Sequence, residues 1–245
     1  MKVIPVLDLL DGIVVHAIRG RREEYKPLKS VLCTSTAPLD VATAFKKLGF
    51  SELYIADLNA ITNNKDNFAE ITQVAKKTEL QIIVDAGVMS IRKAKTVRDC
   101  GVSKVIVGTE TLADLSFVEQ AIRLFGSDHI IVSFDMKERQ LLGKFDMNEF
   151  PSSIDVLNVF QRMGLTQIIL LDLARVGSRE GVDTSFLKEV LDNISMQVFV
   201  GGGICNIGDL IKLREMGVAG ALVATTLHLG KITVEQLKQA GLHLS

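Results

Sequence analysis

The sequence predicts an α/β protein: a single (β/α)8 (TIM) barrel built from two duplicated half-barrels, about residues 1–125 and 126–245. Three observations carry this. Eight short apolar runs alternate with helical patterns, and runs with little polar alternation suit strands covered on both faces. Landmarks recur at a nearly fixed offset: Asp57 stands 115 residues before Asp172, Gly87 116 before Gly203, and Thr109 116 before Thr225. No stretch rich in Pro, Gly or Ser separates the halves, and 245 residues is an ordinary length for one such barrel.

In order, the first strand is expected over 3–7, ending at Asp8. The connection from 11 to 37 is longer than most and contains Arg19, Gly20, Arg21 and Arg22, which suggests a functional loop or a small hairpin. A helix over 38–48 is closed by Gly49, and strand two over 53–56 ends at Asp57. A helix over 67–77 precedes strand three over 81–84, which ends at Asp85, Ala86 and Gly87. A helix over 90–100, closed by Gly101, leads to strand four over 104–107, ending at Gly108 and Thr109. The second half restarts with strand five over 129–134, ending at Asp135, and a helix over 154–163. Strand six over 167–171 ends at Asp172, a helix covers 184–192, and strand seven covers 198–200. A helix over 206–216 carries Ile207, Leu210, Ile211 and Leu213 on one face. Strand eight over 219–223 and a helix over 233–240 complete the pattern.

Composition excludes several function classes. The chain is 47% hydrophobic with a net charge of −1 and no basic block, so it lacks the electrostatic footprint of a nucleic-acid binder. No apolar run reaches membrane length, and the opening residues lack a signal-peptide layout. Cys33, Cys100 and Cys205 are odd in number and far apart, which suits a reduced cytoplasm. Neither zinc spacing nor a cofactor motif is present, so no metal and no cofactor are expected. Outer helix faces show no clear apolar excess, and the sequence sets no oligomeric state.

The chemistry gathers at strand ends, because a barrel points all its strand C-termini at one face and carries its active site there. Gly201, Gly202 and Gly203 follow strand seven and precede a helix that Asn206 can cap. Such glycines let backbone N–H groups approach an anion closely, so this is a candidate phosphate cradle. Ala224 and Thr225 form a second small-residue strand end beside it. Asp8, Asp57, Asp85, Asp135 and Asp172 all close strands. Asp8 and Asp135 end corresponding strands on opposite sides of the mouth, where one can give a proton and the other take one. Helix capping is the structural alternative, strongest for Asp57 and Asp172.

Ile4-Pro5-Val6-Leu7-Asp8-Leu9-Leu10-Asp11-Gly12, Gly108-Thr109, Asp135, Gly177-Ser178, Gly201-Gly202-Gly203-Ile204 and Gly230-Lys231-Ile232 resemble the ProFAR isomerase of histidine biosynthesis. Its sister, the cyclase subunit of imidazole glycerol phosphate synthase, shows the same likeness. The resemblance covers almost the whole chain. It implies a half-barrel duplication, a phosphorylated small-molecule substrate and an aldose–ketose, Amadori-type isomerisation. By resemblance, Asp8 and Asp135 are the catalytic acids. Gly177, Ser178, Gly202, Gly203 and Thr225 hold one phosphate, and Gly87, Gly108 and Thr109 a second.

The chain also departs from that pattern. The family's triple glycine after strand three is here Asp85-Ala86-Gly87, and a carboxylate beside a phosphate repels it. Leu171 and Val176 stand where the isomerases carry a threonine and an acid, and neither moves a proton. Asp135 or Asp172 then has to supply that function, which points to a divergent relative or to a phosphate-binding barrel without isomerase activity. Arg175 and Arg179 can clamp an anion from the loop after strand six. Lys137 is the one lysine placed for Schiff-base chemistry, and His228 is expected in a solvated loop.

Overall fold

The structure is a computed structural model that describes residues 1–18, 21–62, 65–137, 140–176 and 181–245. Eight parallel strands close on themselves. They are β1 (Lys2–Leu10), β2 (Glu52–Asp57), β3 (Gln81–Asp85), β4 (Lys104–Gly108), β5 (Ile130–Lys137), β6 (Gln167–Asp172), β7 (Gln197–Gly201) and β8 (Gly220–Val223). Each pairs with the next, and β8 returns to β1 with Lys2 opposite Gly220. Closure leaves the barrel strands without a free edge.

Among the described residues eight helices of six or more residues surround them: α1 (Pro38–Leu48), α2 (Phe68–Thr78), α3 (Ile91–Asp99), α4 (Ser116–Phe125), α5 (Ser153–Arg162), α6 (Thr184–Asn193), α7 (Ile207–Glu215) and α8 (Val234–Gln239). Local chemistry sets their ends. Pro38 sits in the first turn of α1, and Gly49 closes it in the left-handed region at φ 97°. Helix α4 is absent from the sequence-derived assignment. Its N-cap position is Leu115, which cannot cap, and the acid that accepts the Ser116 N–H at 2.8 Å, Asp114, stands one residue earlier, so the start signal is displaced, although Phe117, Val118 and Ala121 share the buried face.

Two apolar cores result. Ile4, Tyr54, Ile83, Ile106, Ile131, Ile169, Phe199 and Leu222, one from each strand, fill the barrel interior. A larger core of alternate strand residues, such as Val3, Leu53, Ile82, Val105 and Val132, packs against the helices. The N-terminal end is closed by polar groups: Lys2 pairs with Glu52, and the Lys104 ammonium donates to Gln167 at 2.7 Å.

Several strands run further than expected. β1 continues past Asp8 to Leu10 and folds back on Ile13–His16, which pairs in turn with Lys26–Pro27. The long connection is thus partly a hairpin leaning over the barrel mouth. β5 likewise runs on through Asp135 and turns back on Gln140–Leu141. Short helices Leu58–Ile61 and Thr225–His228 follow β2 and β8, and His243–Leu244 adds a parallel strand beside the start of β1. Among the described residues no helix is long and apolar enough to cross a membrane.

Candidate active site

Side chains alternate between the two faces of a strand, so register decides which strand-end residues enter the barrel. Asp8 pairs with Ala56, Ala56 with Asp85, Asp135 with Leu171, and Leu171 with Gly201. All of these, with Ala224, line one cavity of about 200 Å³ at the C-terminal mouth. Odd-numbered strands therefore contribute Asp8, Asp85, Asp135 and Gly201 to the rim, and even-numbered strands contribute small or apolar residues. A Cβ on Gly108 would lie 3.0 Å from Asp135 Oδ2 and 3.8 Å from Asp85 Oδ2, so this glycine makes room for two carboxylates.

The three acids differ in their surroundings. Asp135 is 4% exposed. Its Oδ1 accepts from the Ser133 hydroxyl at 2.6 Å and its Oδ2 from the Glu110 N–H at 3.1 Å. Burial, reinforced by the neighbouring Asp85, pushes it up to about 7 against those two donors. Asp8 is half-buried and has no hydrogen-bond partner among the described residues. Burial raises it to about 7 as well. Asp85 accepts the Gly87 N–H at 3.0 Å and the Tyr54 hydroxyl, whose own pKa burial and the surrounding acids push well above the phenol range. Among the described residues no cluster of His, Cys, Asp and Glu is arranged to hold a metal ion.

Across the cavity lie Gly202, Gly203, Thr225 and Thr226. Gly202 and Gly203 have φ of 91° and 83°, and the loop after β6 presses on both. A Cβ would sit 2.6 Å from the Asp172 carbonyl oxygen at Gly202 and 2.3 Å from the Gly181 carbonyl oxygen at Gly203. Packing alone thus requires glycine. Independently of that packing, their N–H groups have no acceptor among the described residues. The terminus of α7 is not part of this opening, because Asn206 and Asp209 form a capping box and Asp209 accepts the Cys205 N–H at 2.7 Å. Thr226 is 1% exposed, and its Oγ1 is a buried oxygen with no partner among the described residues.

The structure brings Asp8, Asp135, Gly202, Gly203 and Thr225 together and leaves other expected site residues outside. Asp172 faces the helix layer, since it follows the inward Leu171 by one residue. It accepts from Ala174 N–H at 3.1 Å and pairs with Arg175 Nε at 3.0 Å. Arg175 also donates to the Gly181 carbonyl at 2.8 Å and so braces the loop after β6. Gly87 packs on the backbone of Ile61, where a Cβ would come within 2.8 Å of Cα. Thr109 is fully buried and its Oγ1 accepts the Asp135 N–H at 2.9 Å. Gly177, Ser178 and Arg179, like Arg19 and Gly20, lie outside the described residues. Asp57 is a cap: it accepts from Ala60 N–H and from the Asn67 backbone and side chain.

Lys137 is exposed at the end of β5 and does not line the cavity. His228 overturns its expected solvated position. It is 2% exposed, lines the cavity, and has its Nδ1 3.0 Å from the Ser30 hydroxyl. Burial, with His16 beside it, lowers it to about 4. Tyr54, Glu110, His16 and Thr226 also line the cavity and were not singled out from the sequence. Tyr54 has a readable signal, since it stands two residues before Ala56 on the same strand face.

A family model described as histidine biosynthesis protein matches residues 2–233. The chain belongs to that family. An uncharacterized protein of Methanocaldococcus jannaschii is 38% identical over 239 residues, 97% of each chain. A ProFAR isomerase (a phosphoribosyl imidazole-4-carboxamide isomerase) of Alkaliphilus metalliredigens is 30% identical over 240 residues, 97% of this chain and 98% of its own. Its counterpart from Halothermothrix orenii is 29% identical over 244 residues, 98% of this chain and 99% of its own.

Proposed function

We propose that this family member is a phosphosugar isomerase. It carries out an Amadori-type aldose-to-ketose conversion with Asp8 and Asp135 as proton-transfer groups and holds a substrate phosphate on Gly202, Gly203 and Thr225. One observation carries the reading: the half-buried Asp8 and the buried Asp135, each raised to about 7, share a cavity with backbone N–H groups that have no acceptor among the described residues. At neutral pH such a pair holds one proton readily available and one carboxylate ready to accept, as this isomerisation needs. The glycine amides anchor the phosphate and set the reacting carbons against the acids. The repeated landmarks are read as the trace of a half-barrel duplication, giving one domain over residues 1–245.

The likeness to ProFAR isomerases suggests the substrate class and the test. Given an aldosylamine of ribose 5-phosphate, the protein should form the corresponding 1-amino-1-deoxyketose phosphate, and its Asp8→Asn variant should not. A second reading, a phosphate-ligand barrel without isomerase activity, draws on Leu171 and Val176. Both are proton-inert and both line the cavity. No turnover of such a substrate, together with tight binding of a sugar phosphate, would favour it.

A further inference from the structure

The rim of the barrel repeats every 116 residues, yet its two sides treat their backbone donors in opposite ways. After β3 the Gly87 N–H is taken by Asp85, at 3.0 Å. At the equivalent place after β7 the residue matching Asp85 is Gly201, which has no side chain, and the Gly203 N–H is unpaired among the described residues. After β4 the Glu110 N–H is taken by Asp135 at 3.1 Å, and the Thr109 N–H by the Ser133 carbonyl at 2.8 Å. Thr226, the match of Glu110, instead carries a buried hydroxyl with no partner among the described residues. One side of the cavity is therefore rich in hydrogen-bond donors and the other is rich in acceptors, with Glu110 adding a fourth carboxylate.

We infer that the substrate carries a single phosphoryl group, held at the Gly202–Gly203 end, and presents hydroxyl or amino donors, not a second phosphate, to Asp8, Asp85 and Asp135. This rests on the phosphate reading of the second half. A phosphate on the first side would find its amides occupied and would face like charges. Hydroxyl or amino groups there would give the unpartnered Asp8 a donor and share the remaining lone pairs of Asp85 and Asp135. Oxygen acceptors of the phosphate would satisfy Thr226 Oγ1 and the two glycine amides at the other end.

The test is calorimetric titration of the full chain at pH 7.5 with D-ribulose 5-phosphate and D-ribulose 1,5-bisphosphate, which differ only by the second phosphate. The expected result is at least about tenfold tighter binding of the monophosphate, the scale of one unfavourable like-charge contact. In Asp85→Gly, which copies the residue at position 201, that ratio should fall to about one or invert. Asp85→Asn keeps the side chain's volume and an acceptor for Gly87, so it guards against a folding defect in the glycine variant. It should move the ratio the same way by a smaller factor. Equal or tighter binding of the bisphosphate by the wild type, or a ratio unmoved in both variants, would overturn the single-phosphate inference and leave the phosphate site standing. Binding of neither sugar would overturn both.

Discussion

Compare the ends of β3 and β4 with those of β7 and β8. The two regions occupy matching places around one barrel and carry the matching landmarks Gly87 and Gly203, Thr109 and Thr225, yet on one side Asp85 and Asp135 fold over the loop amides and on the other no side chain among the described residues does. The difference traces to two positions, Asp85 against Gly201, and Asp135, which accepts the Glu110 N–H, against Asp8, which accepts no amide among the described residues. It teaches that a rim with matching landmarks on both sides becomes directional when side chains satisfy donors on one side only. A directional cavity can orient an unsymmetrical substrate, because a group that suits one end is rejected at the other.

The comparison can be broken most severely at the acids. Asp8→Asn should lower turnover by about 10²–10⁴-fold, the usual worth of a general acid or base. Binding of inorganic phosphate should change little, because the variant keeps the glycine amides. Full activity would remove Asp8 from the mechanism.

Next come the glycines. Gly203→Ala combines a left-handed φ with a Cβ 2.3 Å from a carbonyl oxygen and should cost roughly 2–4 kcal/mol in urea denaturation. Gly217→Ala, at φ 92° with no atom within 4 Å, carries only the conformational penalty of about 1–2 kcal/mol. Gly87→Ala should destabilise through its contact with Ile61 and leave phosphate affinity intact. Gly203→Ala should weaken phosphate binding as well, and equal effects of the two on phosphate would erase the distinction between the sides.

A third measurement is pH dependence. Asp8 and Asp135 hold their protons up to about 7 in the folded chain and only to about 4 in the unfolded chain. The folded state thus binds more protons between those limits, and stability should fall as pH rises from about 4 through 7. Thermal midpoints recorded across that window should decline, and Asp135→Asn should flatten the decline. A flat wild-type profile would contradict the burial of these carboxyls.

The smallest effect is expected at Asp172. Its pair with Arg175 is about a third exposed, so Asp172→Asn should change stability by under about 1 kcal/mol and kcat by less than about twofold. A hundredfold loss of kcat would return it to the proton-transfer set.

Much of the fold was legible because it rests on local patterns. Apolar runs marked all eight barrel strands, and helix ends at Gly49, Gly101, Gly164 and Gly217 followed from left-handed glycines. Helix α4 escaped because its N-cap position is Leu115 and the acid that accepts its first N–H, Asp114, stands one residue earlier. The site was legible only in part. Five acids marked strand ends, but strands covered on both faces show no polar alternation, so nothing in the run Ile168-Ile169-Leu170-Leu171 reveals which side Asp172 takes. Tyr54, His16, His228 and Thr226 reach the cavity from the second strand, a hairpin and a short helix, a convergence with no linear signature.

The amino-acid sequence by itself determined that this chain forms a (β/α)8 barrel with glycines and acids at its strand ends, because residue type, period and spacing are local properties. Tertiary structure decided the rest. Barrel closure and strand register turn Asp8, Asp85 and Asp135 inward and Asp57 and Asp172 outward. Only the side chains that fold over a loop separate the amides of Gly87 and Glu110, used by the fold, from those of Gly202 and Gly203, which have no acceptor among the described residues. The physical reason is that a side chain's direction and an amide's partner depend on neighbours distant in sequence, which no short stretch of chain encodes.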